Sequence, residues 1–281
     1  MSDLNELKRI AAQVRRDIVR MVHAVASGHP GGSLGCADFL VALYFDVMNH
    51  NPSAFTMDAK NEDVFFLSNG HISPAWYSVL SRSGYFPVSE LATFRKLNTR
   101  LQGHPTTAEH LPGVRIASGS LGQGLSVAVG MAEAKKLTGD KGLIYTLHGD
   151  GELQEGQIWE AAMYAAANNI DNIISVVDYN RKQIDGPTDE VLSLGDLVAK
   201  WEAFGWKVLQ TDGNDMAQLL SILEKAKAET SHSKPVMIVM TTIMGKGVSF
   251  MEDDHKWHGS PPNDEQLAQA LKELEETLGD Y

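Results

Sequence analysis

The chain has 281 residues, a single cysteine and a formal charge of -12, with 36 acidic residues against 24 basic ones. That charge repels nucleic-acid phosphates and anionic lipid headgroups, one thiol cannot form an internal disulfide, and a charged N-terminus with no long apolar run argues against a signal peptide or a membrane span. A cytoplasmic protein without nucleic-acid or membrane partners is expected, and any phosphate-bearing ligand needs local cations or N–H groups to offset the overall field, which makes a divalent metal attractive.

In chain order, Leu7, Ile10, Ala11, Val14, Ile18, Met21, Val22 and Val25 recur at three- and four-residue spacing, predicting an amphipathic helix that stops at Ser27-Gly28-His29-Pro30-Gly31-Gly32. A second helix is expected over Cys36 to Val47, then a short buried strand over Asp63 to Leu67 followed directly by Ser68-Asn69-Gly70-His71. Ser118 to Gly124 opens onto the helical run Leu125 to Lys136 and reads as a loop of backbone donors. Apolar runs at Leu143 to Leu147, Ile173 to Val177, Val208 to Gln210 and Val236 to Thr242 alternate with helical stretches such as 156–168 and 215–229. Such alternation predicts a single α/β domain over 1–281. Its sheet is doubly wound and mostly parallel, with helices on both faces, a helical N-terminal segment 1–50 and an amphipathic last helix over about 263–281.

Ligands of such sheets collect outside the carboxyl ends of the strands, where this chain places its unusual polar sequences: Ser68 to His71, Gly149-Asp150-Gly151, Asp178-Tyr179-Asn180 and Met244 to Gly247. Asp150 between two glycines allows a sharp backbone turn, close approach to a phosphate and a carboxylate aimed at a metal, with the positive end of the helix starting near Glu155 directed at the same spot. Asn180, at the end of the next strand, offers a neutral oxygen. Magnesium suits one aspartate, one asparagine and a main-chain carbonyl, with phosphate and water completing its shell. Asp150 as a helix cap and Asn180 as a turn residue are the alternatives. His29, His71, His104, His148 and His258 each flank a glycine, a pattern of polar turns that in number suggests a proton-handling site. Zinc-motif spacing is missing, Cys36 sits in an apolar context that reads as core, and Ser118 to Gly124 does not match a nicotinamide-dinucleotide fingerprint.

SGHPGGSLGCADFLVALY, LSNGH, GHP, SLGQG, GDGELQEG with DYN downstream, and KWHGSPP occur in that order over nearly the whole chain, and together they resemble transketolase. The resemblance implies thiamine diphosphate and Mg2+ as cofactors, with Ca2+ or Mn2+ as substitutes. Asp150, Asn180 and the Lys182 main-chain carbonyl would hold the metal. Gly149, Gly151 and His71 would lie along the diphosphate, and Gly119 and Leu121 along the aminopyrimidine. His29 and His258 would move protons on the sugar hydroxyls and His104 would hold the donor hydroxyl. Glu155 resembles the family glutamate at the junction of paired active sites, with a first-turn helix acid as the alternative. Lys246 in GKG resembles a lysine of deoxyxylulose phosphate synthases that would neutralise phosphate charge; the alternative is a solvated surface lysine.

The sequence departs from the family at Ser120, Tyr179 and Arg181-Lys182, where proline, aspartate and a small Gly-Ile pair are usual. A main-chain ligand tolerates the last change, because every residue carries a carbonyl. The implied activity passes a two-carbon ketol unit from a ketose to an aldose, both sugar phosphates in the family, with the cofactor as electron sink. Because the chain stops shortly after WHG, it is expected to be the N-terminal subunit of a split transketolase. A C-terminal subunit would supply the pyrimidine-binding domain, with two copies of each chain in the assembly. The α subunit of a 2-oxoacid dehydrogenase, a deoxyxylulose phosphate synthase and a non-catalytic binding module are the competing readings.

Overall fold

The computed structural model describes residues 3–281. In chain order the first elements are α1 (Leu4–Ala24), α2 (Pro30–Gly35), α3 (Ala37–Ala42), β1 (Val64–Leu67), α4 (Ser73–Arg82), α5 (Gln123–Thr138), β2 (Ile144–Gly149), α6 (Gly156–Ala167) and β3 (Ile173–Tyr179). A small antiparallel hairpin, β4 (Lys182–Gln183) with β5 (Gly186–Pro187), is followed by α7 (Thr188–Leu192), α8 (Leu197–Ala203), β6 (Lys207–Asp212), α9 (Met216–Glu229), β7 (Val236–Thr241) and α10 (Asp264–Glu273).

Five strands form one wholly parallel sheet in the order β1-β2-β3-β7-β6. Val64 to Leu67 and Ile173 to Asp178 are buried at every position, which explains why these strands read as continuous apolar runs rather than alternating ones. The outer strand β6 is only half covered, and only a three-residue apolar core of it was legible in sequence. From β2 through α6 to β3 the chain steps across the sheet in one direction; from β6 through α9 to β7 it steps back. Right-handed crossovers therefore put α6 and α9 on opposite faces. The packing agrees: α5 lies on α6, while α9 lies on α3 and α1. The expected architecture is what the chain adopts.

The buried stripe of α1, Leu7, Ile10, Ala11, Val14, Ile18, Met21 and Val22, is the one expected from its spacing, and Asp3 caps its start by accepting from the Asn5 amide. Met1 and Ser2, part of the expected N-terminal helical segment, lie outside the described residues. The stretch from Cys36 to Val47 is helical but irregular: α3 ends at Ala42 and continues as a π turn over Leu43–Val47. The short α2 replaces the simple stop expected at His29 to Gly32. Proline is its first residue, and Gly31 is required there, because an added Cβ would fall 2.7 Å from Met244 Cγ and 2.8 Å from the Trp257 carbonyl.

The last helix is shorter than expected. α10 stops at Glu273 because Arg16 reaches its end, donating 2.8 and 2.7 Å hydrogen bonds to the carbonyls of Leu271 and Leu274. Residues 274–281 then leave the helix and lie against α1. Asp280 pairs with Arg16 at 2.8 Å, and Arg20 donates to the Tyr281 carbonyl while stacking on its ring. Among the described residues no helix is long and apolar enough to cross a membrane.

Candidate active site

The carboxyl ends of β1, β2 and β3 open into a cavity of about 260 Å³, also lined by His29, His104, His258 and Met244. His71 enters from the loop after β1, Asp150 from the loop after β2 and Asn180 from the loop after β3. His29 caps α2 and His258 ends the turn His255–Trp257. Of the Met244 to Gly247 loop after β7, only Met244 reaches the cavity.

Asp150 and Asn180 form the floor. Asp150 is 1% exposed and accepts from the main-chain N–H groups of Gly151 and Arg181. Burial, aided by the nearby Asp178 carboxylate, pushes its carboxyl up to about 8. Asn180 Oδ1 accepts from the Lys182 amide at 2.9 Å, and its Nδ2 donates to Asp178 at 2.9 Å. Asp178 also accepts from the Thr242 hydroxyl and is raised by burial. Two buried acids and an amide oxygen lie on adjacent strand ends, and a hard divalent cation bound there would favour the ionised form of the acids. The described residues contain no cluster of three or more His, Cys, Asp or Glu suited to a metal.

Above the floor, the His29 ring lies 5.1 Å from His71, 5.6 Å from His258 and 6.4 Å from His104, and His71 lies 5.0 Å from His258. Burial lowers all four pKa values, and Arg95 adds to this at His29 and His104. His29 falls to about 4, with burial first and the His258 charge second among the causes. At neutral pH the cluster is uncharged, so each ring has one N–H and one acceptor nitrogen. The Nδ1 atoms of His29 and His258 and the Oδ1 of Asn69 are buried without a hydrogen-bond partner in the chain. All three residues line the cavity, where an unpaired polar atom can be satisfied by a polar group of a bound molecule.

The structure thus brings His29, His71, His104, His258, Gly119, Leu121, Gly149, Asp150, Gly151, Asn180 and Lys182 to one cavity. Two expected residues stand apart. Lys246 is half-buried, pairs with Glu252 at 3.5 Å and lies outside the cavity lining, following Gly245, whose φ is +77°. Glu155 is exposed at the start of α6, beside the Gly122 turn and also outside the lining. The positive end of α6 is likewise not at the cavity, because the 3₁₀ turn Gly151–Gln154 comes between. Cys36 is fully buried core, as expected, and burial raises its thiol.

Sequence reasoning missed Glu152, Asp178 and Asn69. Glu152 is 2% exposed and accepts from the Gly122 amide at 2.9 Å, the Gly149 amide at 3.1 Å and the Ser68 hydroxyl. Burial would raise its carboxyl, but the adjoining His148 and these donors outweigh that and hold it low. A GDGE run looks like a solvated first-turn acid, and nothing local marks it as buried.

A polar cavity at the strand ends of a doubly wound sheet is the place where α/β domains of this class bind their ligands. The family model described as "Transketolase, thiamine diphosphate binding domain" matches residues 7–277. The chain belongs to the transketolase family and corresponds to its N-terminal, thiamine diphosphate-binding part. It is similar to the 6-deoxy-6-sulfo-D-fructose transketolase subunit of Clostridium sp. (strain MSTE9), 41% identical over 273 residues and 96% of each chain. It is also similar to an apulose-4-phosphate transketolase subunit from Actinobacillus succinogenes, 38% identical over 97% of each. The solved transketolase of Campylobacter jejuni superposes with a TM-score of 0.89 at 36% identity, covering 97% of this chain and 43% of that one. Human transketolase, 34% identical, is likewise covered over 42% of its length.

Proposed function

We propose that this chain is the cofactor-binding subunit of a two-chain transketolase that moves a two-carbon ketol unit from a ketose to an aldose, completed by a partner chain carrying the pyrimidine-binding domain. Two copies of each chain would make the assembly, with Glu155 near the junction. The observation that carries this reading is the neutral four-histidine cluster set over buried Asp150 and Asn180 in one cavity.

The residues present fit the cofactor: a buried acid without a cationic partner, and unpaired buried polar atoms on His29, His258 and Asn69, which line the same cavity. Asp150, Asn180 and the Lys182 carbonyl would hold Mg2+, Gly149, Gly151 and His71 would lie along the diphosphate, and Gly119 and Leu121 along the aminopyrimidine. When bound, thiamine diphosphate supplies an electron sink for carbon–carbon bond cleavage. His29 and His258 then take protons from sugar hydroxyls and return them, and neutral rings can do both. An imidazole held at about 4 is a weak base, and negative charge entering the cavity raises its pKa and makes it a better one. His104, more exposed than the other three, orients the donor hydroxyl at the mouth.

The two relatives matched over nearly their full length are named for a sulfonated ketose and a ketose phosphate. A ketose with an anionic tail is therefore the proposed donor class. The test is reconstitution: this chain and its partner subunit, mixed with Mg2+ and thiamine diphosphate, are assayed against a panel of phosphorylated, sulfonated and unmodified ketoses. Ketol transfer is expected only from the mixture, and robust turnover by this chain alone would refute the two-chain reading.

A further inference from the structure

Three loops that carry the cavity's key groups meet at a residue outside the catalytic set. The loop after β1 brings His71, the loop into α5 brings Gly119 and Leu121, and the loop after β2 brings Asp150. Glu152 accepts from all three: from the Ser68 hydroxyl, from the Gly122 amide at 2.9 Å and from the Gly149 amide at 3.1 Å. The Ser68 hydroxyl in turn accepts from the Gly124 amide at 3.1 Å, so the first two loops are also joined to each other. The loops are packed without slack. A Cβ on Gly124 would fall 2.4 Å from Ser68, and one on Gly70 would fall 2.4 Å from Ser118 Oγ and 2.8 Å from the Gly119 amide.

The chemistry of the junction demands a carboxylate. Three donors converge on one side chain, and an ionised carboxylate is acceptor-only on both oxygens, whereas a glutamine amide has one acceptor oxygen and presents N–H with the other atom. At 2% exposure water cannot make up the difference. We infer that Glu152 is a positioning residue for cofactor binding, fixing the spacing of the His71, Gly119 and Asp150 loops. Its part in cofactor binding rests on the functional reading above; its part in setting loop spacing does not.

The test compares Glu152→Gln with Leu223→Ala, a change in the core of α9 remote from the cavity that lowers stability without touching the loops. Two quantities are measured: the Kd for thiamine diphosphate with Mg2+ by calorimetry on the full-length chain reconstituted with its partner subunit, and the imidazole 15N resonances of His71 and His104 in the full-length chain. Glu152→Gln is expected to raise Kd by about tenfold or more, the loss typical of a hydrogen bond to a charged group, and to shift both imidazoles. Leu223→Ala, with an equal or larger drop in Tm, is expected to leave Kd within about twofold and the resonances in place. Unmoved resonances in Glu152→Gln, or the same loss of affinity in Leu223→Ala, overturn the inference. If the native chain reconstituted with its partner binds no thiamine diphosphate, the functional reading fails, and the resonances alone decide whether Glu152 sets the loops.

Discussion

His71 and His258 face each other at 5.0 Å between ring centroids with their planes inclined by 33°, although one follows the first strand and the other follows the last. His29 closes the group at 5.1 and 5.6 Å. A proton on any one ring opposes a proton on the next, and burial opposes all of them.

The cluster should therefore weaken the fold in acid. His29 is lowered from its ordinary 6.5 to about 4, so the unfolded chain binds more protons between those values. Its contribution to stability is complete above about 6.5 and is lost as pH falls through about 4. Urea denaturation across this range should show falling stability, with a shallower slope in His29→Asn. An unchanged slope in that variant would remove His29 from the cluster's electrostatics.

Asp150→Asn should cost both stability and cofactor uptake. Both oxygens of the buried carboxyl accept main-chain N–H groups, from Gly151 and Arg181, and an amide turns its own N–H toward one of those donors. Tm is expected to fall, and Mg2+-dependent uptake of thiamine diphosphate is lost with the only proposed carboxylate ligand. Retained uptake, measured by calorimetry, would refute the metal assignment.

His29→Ala and His258→Ala should divide the other way. Both residues are assigned to proton transfer, so cofactor affinity stays near native while turnover of the reconstituted enzyme falls about 100-fold or more. Loss of cofactor affinity with unchanged turnover at saturation would show the roles to be misassigned.

Gly70→Ala tests how tightly the first loop is fitted. Its Cβ would meet the Ser118 hydroxyl and the Gly119 main chain, neither of which can move without shifting the wall of the cavity. A stability loss of about 1–3 kcal/mol is expected, the usual cost of overpacking, together with weakened cofactor binding. Native Tm and native Kd together would mean that the loop is free to yield.

The sequence alone determined the elements and their class. Continuous apolar runs at 64–67 and 173–177 cannot be half-exposed strands, and their alternation with helical periods leaves little besides a parallel sheet with helices on both faces. Because ligands collect at the carboxyl ends of such strands, the placement of Asp150 and Asn180 was readable too, and the motif order carried His29, His71, His104 and His258 with them. What only tertiary structure decided depends on partners distant in the chain. Nothing in the sequence singles out Glu152, whose place is set only when Ser68, Gly122 and Gly149 are brought to it. The pairing of Lys246 with Glu252 is likewise made by the folded loop, and α10 reads as running to Tyr281 until Arg16, on the first helix, takes the carbonyls at its end. Local periodicity encodes which face of an element is buried; it does not encode which remote group will satisfy a buried charge, and that pairing exists only once the chain has closed.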